Sequence, residues 1–275
     1  MANGVPLEVK ESPYLDFPRG KELLGKYTES IAKYGDKARQ VLGKLSLNRD
    51  LITGSSPFMA VQLGQFADLA TPAQVMLASE RNPDFFRGTY SDMGLVLRTD
   101  GDDNGANDYV AKNLFTQVKA RGLIATPENP VRISLKGAKL KEDASSAYGL
   151  VFDLADAEVM AIPEFAHKNN GKSFMKADGR GVPIFDNSGS RNFYSRDSGL
   201  SRLYLLRNLY LWSVIDNLAF SDSDGRVPLV VASAAGSAQN LGNYTPEQIH
   251  VALEALKFSG LESALLTELN KQGKN

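Results

Sequence analysis

RNFYSRDSGLSRLYLLRNLYLWSVIDNLAFSDSDGRVPLVV, residues 191 to 231, is the stretch whose reading decides the fold. Two patterns overlie each other in it. Leu203, Leu205, Leu209, Leu211 and Leu218 form an apolar framework, and Arg, Tyr, Trp, Asn and Asp fill the gaps. A helix cannot separate the two sets. At 3.6 residues per turn the apolar residues from Leu203 to Trp212 point in every direction. A strand separates them. Leu203 and Leu205 alternate with Arg202 and Tyr204, and Leu209 and Leu211 alternate with Asn208, Tyr210 and Trp212. Side chains two apart share a face. One face is then leucine, expected to hold a scaffold. The other is aromatic and polar, expected to display a binding surface.

The composition of the same stretch is biased. From Ser190 to Asp224 there is neither Lys nor Glu, and no Lys occurs between Lys176 and Lys257. Tyr and Arg give large contact area at modest entropy cost, and Ser and Asn adapt their hydrogen bonds, as in antibody paratopes. The plainer alternative is a polar strand-and-turn region, whose wet face would be expected to carry some Lys and Glu.

Upstream, Pro6, Pro13 and Pro18 mark residues 1–20 as an extended arm. Leu24, Tyr27, Ile31, Tyr34, Ala38, Val41 and Leu45 then recur at 3-4 spacing, which predicts a helix from Lys21 to Leu45. Its seam suits packing on its own domain or, alternatively, self-association. Gly25, Gly35 and Gly43 weaken it. Ser56-Pro57 and Thr71-Pro72-Ala73-Gln74 each cap a further helix, and Asn82-Pro83 stops the second. Met93–Arg98, Val131–Leu135 and Leu150–Ala155 read as strands, Tyr109–Arg121 as a helix, and 167–190 as long loops. Downstream, 232–243 reads as a small-residue linker, and the capping box Thr245-Pro246-Glu247-Gln248 opens a C-terminal helix. The expectation is an α+β chain, with a helical N-terminal region at 1–85 and a second domain at 86–275 that carries the display region 190–231 and the C-terminal helix.

The totals exclude several chemistries. The formal charge is −1 over 275 residues, which gives no overall attraction to nucleic acid. No apolar run is long enough to span a membrane, and the N-terminus lacks the charged start and apolar core of a secretory signal. Exposure outside a cell, on a virion or cell surface, would therefore come by assembly or lysis, or after a signal has been trimmed away. Cysteine is absent, which removes disulfides, thiolate metal sites and cysteine nucleophiles together. The two histidines, His167 and His250, are far apart and leave little room for imidazole chemistry. No nucleophile elbow, phosphate loop or dinucleotide fingerprint occurs.

One motif suggests a metal. Asp100, Asp102 and Asn104, two apart and followed by Gly105, match the first half of a calcium loop, with Asp108 at its ninth position. The twelfth position is Ala111 instead of a bidentate Glu. The alternative is a polar turn in which Asn107 or Asp108 caps the next helix. Calcium is the one cofactor the sequence suggests.

The spaced pattern Gly199-Leu200-Ser201-x-Leu203-x-Leu205, Leu209-x-Leu211, Leu218-Ala219-x-Ser221 and Gly225-Arg226-Val227 resembles the variable region of proteins diversified by diversity-generating retroelements, in the archaeal and archaeal-virus form. It covers about forty residues. The resemblance implies a C-type lectin fold, and template copying with errors at adenines, which turns Asn-type codons into many others but not into Lys or Glu. Carried over by position, the diversified ligand-binding residues are Tyr194, Arg202, Tyr204, Arg207, Asn208, Tyr210, Trp212, Val214, Ile215, Asp216, Asn217, Phe220, Asp222, Ser223 and Asp224. Trp212 departs from the pattern, because adenine changes do not turn an Asn codon into a Trp codon. The expected function is non-enzymatic recognition of a macromolecule, a surface protein or glycan. The alternatives are an assembly protein that forms homo-oligomers through the 21–45 helix, and a calcium-dependent carbohydrate binder.

Overall fold

A computed structural model describes residues 17–48, 51–154 and 156–230. All of them belong to one compact α+β unit. The expected C-terminal helix and the linker before it lie outside the described residues, as does most of the expected N-terminal arm.

The helices begin where the sequence supplies caps. In α3 (Pro57–Leu63) the Ser56 hydroxyl accepts from the Met59 N–H, and Pro57 takes the first position, where no donor is needed. In α4 (Pro72–Arg81) the capping box is complete. Gln74 N–H donates to Thr71 Oγ1 at 3.2 Å, and Thr71 N–H donates back to Gln74 Oε1 at 2.9 Å. The short α5 (Pro83–Phe86) follows from an Asn82 cap. The single helix expected over 21–45 is instead two, α1 (Phe17–Ile31) and α2 (Asp36–Leu42), parted at Gly35. Its heptad seam packs within the chain, where α1 and α2 both lie against α3. Tyr27, Ala38 and Leu45 are buried in the chain's own core, with Leu23 and Leu42 beside them.

Strand β3 (Tyr90–Leu97) is the axis of the molecule, and all eight of its residues are buried. Along one side it pairs antiparallel with β11 (Leu200–Leu205). On the other it pairs with β4 (Val131–Ser134) at one end and with β13 (Gly225–Arg226) at the other. A hairpin of β1 (Ser46–Asn48) and β2 (Leu51–Thr53) extends the sheet beyond β13. Past β11 come β12 (Leu211–Ser213), β10 (Arg191–Ser195), β8 (Ser173–Ala177) and β9 (Pro183–Phe185), while β7 (Val159–Ala161) lies outside β4. Strands β5 (Lys139–Glu142) and β6 (Leu150–Asp153) pair separately. The display stretch therefore lies within the sheet, and its last strand, β13, fits beside β3 because residue 225 is glycine. A Cβ there would meet the Tyr90 hydroxyl at 2.5 Å.

Two hydrophobic clusters pack against the strands. One joins α1, α2, α3 and α6 (Gly105–Ala120) to Leu95, Leu97, Leu200 and Leu218. The other joins α4, β8 and β10 to Met93, Val96, Leu203, Leu205, Leu209 and Leu211. Alternation along β11 sends Leu200 to the first and Leu203 and Leu205 to the second.

Three expectations change. Residue 85 is not a boundary, because β2, upstream of it, pairs with β13 of the display stretch. The stretch 167–190 carries strands β8 and β9, anchored by buried Phe174 and Val182 between polar turns. Helix α6 begins at Gly105 on an Asn104 cap, earlier than Tyr109 and not on Asn107 or Asp108. No helix among the described residues is long and apolar enough to cross a membrane.

Candidate recognition surface

The display stretch is organised by what its strands bury. Leu203, Leu205, Leu209, Leu211 and Leu218 are all buried. Beneath β10, β11 and β12 the Arg98 guanidinium is enclosed by three serines of the stretch. Its Nη1 donates to Ser201 Oγ at 2.9 Å, and its Nη2 to Ser195 Oγ at 2.9 Å and Ser213 Oγ at 2.8 Å. Burial, with the Arg196 cation adding to it, lowers the Arg98 pKa to about 9. The strands that carry the surface are thus tied from below by polar bonds as well as by leucine.

Above them runs a row of large side chains fixed by strand register. Tyr194 on β10 is level with Trp212 on β12, Trp212 with Tyr204 on β11, and Tyr204 with Asp92 on β3. The rings touch in sequence. Centroids are 5.6 Å apart for Tyr194–Trp212, 6.1 Å for Tyr204–Trp212 and 5.8 Å for Tyr90–Tyr204, and Tyr210 lies 6.0 Å from Tyr194. Such tilted pairs favour edge-to-face attraction.

The row is open at one end and closed at the other. Tyr194, Tyr210 and Trp212 are half-buried. The Trp212 indole Nε1 is shielded from solvent and has no acceptor among the described residues. Around them Arg207, Asn208, Asn217, Asp222 and Ser223 are exposed, as is Phe220 at 49 %, while Val214, Ile215, Asp216 and Asp224 are half-buried. Arg202 and Tyr204 depart from the expected display set, since only 2 % and 6 % of their surface is accessible. Arg202 forms a two-point ion pair with Asp92, through Nε to Oδ1 at 2.9 Å and Nη2 to Oδ2 at 2.6 Å. Its third hydrogen bond goes to the Phe220 carbonyl. Its Cζ stands 5.4 Å from the Tyr90 centroid and 5.5 Å from that of Tyr204. Burial pushes the Asp92 carboxyl up, against the pull of Arg202. Both residues belong to the floor of the surface.

Two further contacts hold the loop after β12. Asn107 on α6, fully buried, donates from Nδ2 to the Asp216 carbonyl and accepts from the Tyr148 hydroxyl at 2.7 Å. Asn107 and Tyr148 were not legible as parts of this site, because Asn107 reaches a backbone atom 109 residues away and Tyr148 acts through Asn107. The β11–β12 tip turns at Leu209, a non-glycine residue with φ of 68°. It is held there by bonds from Leu209 N–H to Leu206 and from Leu206 N–H to Tyr210, and by Arg191 Nε donating to its carbonyl at 3.0 Å.

The calcium loop expected at Asp100–Asp108 is not formed. The Asp102 side chain is fully buried and accepts from the Leu200 N–H, from Asn104 N–H and from the Arg196 guanidinium at 3.3 Å. Asn104 Oδ1 caps α6 at the Ala106 N–H. Asp108 accepts from Asp102 N–H and from Lys112 Nζ at 2.7 Å. The oxygens that would converge on an ion, those of Asp100 apart, are thus spent on protein donors. Among the described residues no group of three or more His, Cys, Asp or Glu side chains is placed to hold a metal. His167, exposed, has its Nδ1 at 2.8 Å from the Ser195 carbonyl.

A cavity of about 310 Å³ lies elsewhere, between Gly64–Leu69 and Leu135–Lys139. It shares no residue with this surface, and the ion pairs Lys136–Asp68 and Lys139–Asp156 stand at its rim. No protein family model, no curated protein and no solved structure matches this chain.

Proposed function

We propose that this chain is a non-enzymatic binding protein that recognises a macromolecular target with the open part of the 190–224 surface. On this reading the scaffold is C-type lectin-like, and the surface is the variable region of a diversity-generating retroelement. One observation carries the proposal: the framework leucines are buried while most of the interleaved residues are not. Side chains such as Phe220, Arg207 and Asn208 can therefore change without disturbing the packing beneath. Aromatic and arginine side chains standing together on a surface are the composition of binding hot spots. A broad, open surface suits a macromolecule better than a small ligand, which needs a concave pocket. A place on a virion or cell surface fits such a role. Self-association through the 21–45 seam has less support, because that seam is spent on the chain's own core.

Sequencing the coding segment for 190–224 across a population of its source tests the proposal. Substitutions should concentrate in codons of Arg207, Asn208, Tyr210, Asn217, Phe220, Asp222 and Ser223, spare the leucines, and match adenines in a nearby near-copy beside a reverse-transcriptase gene. A segment without such a copy, varying no more than the rest of the gene, would overturn it.

A further inference from the structure

We propose that the cavity between Gly64–Leu69 and Leu135–Lys139 binds a small zwitterion, an α-amino acid with an apolar side chain. This site is separate from the recognition surface and does not depend on its role. Four charged side chains, two of each sign, line the cavity: Asp68, Lys136, Lys139 and Asp156. Leu69 and Leu135, both buried, line it with them. A glycine sets this arrangement. Gly137 has φ of 82°, and a Cβ there would meet the Asp156 carbonyl at 2.2 Å. Only without that atom does the turn carrying Lys136 and Lys139 close on the one carrying Asp156.

The charges pair with one another, Lys136 Nζ with Asp68 at 2.7 Å and Lys139 Nζ with Asp156 at 2.8 Å. All four side chains are more than a third exposed. Ion pairs as wet as these contribute about 0–1 kcal/mol, so opening one for a ligand costs little.

The balance of sign selects the occupant. A lone carboxylate drawn to Lys136 would stand close to the Asp68 carboxylate, and a lone ammonium drawn to Asp156 would stand close to Lys139. A zwitterion carries both signs. Its carboxylate replaces an aspartate on a lysine while its ammonium replaces a lysine on an aspartate. The leucine wall then takes the apolar side chain. At about 310 Å³ the cavity lies at the small end of ligand sites, which run from about 300 to 1,000 Å³, and that favours a single amino acid over a peptide.

The whole chain is titrated calorimetrically with L-leucine, with N-acetyl-L-leucine, which keeps only the carboxylate, and with L-leucinamide, which keeps only the ammonium. The expected result is saturable heat from leucine in the millimolar range, with either analogue binding at least about ten-fold more weakly. Asp68→Asn and Lys136→Met should each weaken leucine about two- to five-fold with little change in Tm, since Lys139 and Asp156 remain. Ala67→Phe, at the cavity wall, should abolish the heat, and Tyr210→Ala, on the recognition surface, should leave it intact. No saturable heat from leucine, or an analogue that binds as well as leucine, would overturn the proposal. Leucine binding unchanged in Ala67→Phe and in both charge variants, or lost in Tyr210→Ala, would place the ligand elsewhere and overturn it too.

Discussion

Arg202 and Tyr204 lie close along the chain from Arg207 and Tyr210, and the four have the same two side-chain types. Their surroundings are opposite. Arg202 and Tyr204 are enclosed, between Asp92, Tyr90 and the loop that returns over them. Arg207 is exposed and meets the edge of Asp224, and Tyr210 is half-buried at the rim. Strand alternation placed Arg202 and Tyr204 on the face opposite the leucines, and that is where they are. It could not say that residues 214–220 fold back over that part of the face. A polar face of a strand is a direction, and exposure depends on what else arrives there.

Substitutions can break this contrast or sharpen it. Arg202→Ala strands Asp92 in the interior and should cost about 3–5 kcal/mol in urea unfolding. Pairing it with Asp92→Leu should recover much of that loss, because no charge is then left uncompensated. Tyr204→Ala should cost about 3 kcal/mol as a buried aromatic truncation. If either single change is silent, the floor has been misassigned.

High pH probes the same enclosure. Burial holds Tyr90 and Tyr148 up to about 12, and raises Tyr204 as well. The unfolded chain releases these protons near pH 10 and the folded one keeps them, so stability should fall as pH rises from about 10 to 12. A urea-midpoint series across that range should show the decline, and Tyr204→Phe should make it shallower. Arg207→Ala and Tyr210→Ala should each stay within about 0.5 to 1 kcal/mol. Smallest of all is the effect of millimolar calcium. It should leave the unfolding midpoint in place, and a rise would mean that the Asp100–Asp108 oxygens rearrange around an ion.

The legible parts of the fold were those written in local pattern. Caps at Ser56 and Thr71, strand β3 and the leucine framework each follow from spacing within a few residues. Hairpin β1–β2 was not legible, since three-residue strands in SLNRDLIT show no apolar alternation. The heptad-like seam from Leu24 to Leu45 misled for a related reason. Spacing fixes which residues share a face and leaves the partner unnamed, and here the partner is the chain's own core, helix α3 included. Five arginines, Arg98, Arg132, Arg191, Arg202 and Arg226, are buried, and nothing in their local sequence marks them as such. What makes their burial tolerable comes from residues 18 to 141 positions away, among them Asp92, Ser91, Glu158 and the serine trio. Of the surface, the scaffold and most of the exposed side chains were legible. The covered pair and the anchor at Asn107 were not.

On the proposed binding role, Leu209 bears on the speed of recognition. A leucine at positive φ is held in a conformation that costs of order 1 kcal/mol, and the surrounding bonds leave it no easy alternative. In that role, the tip bearing Arg207, Asn208 and Tyr210 would therefore meet a partner already in its final shape. Little ordering remains to be done at contact. Changes among those three side chains should then alter how long a complex lasts far more than how quickly it forms.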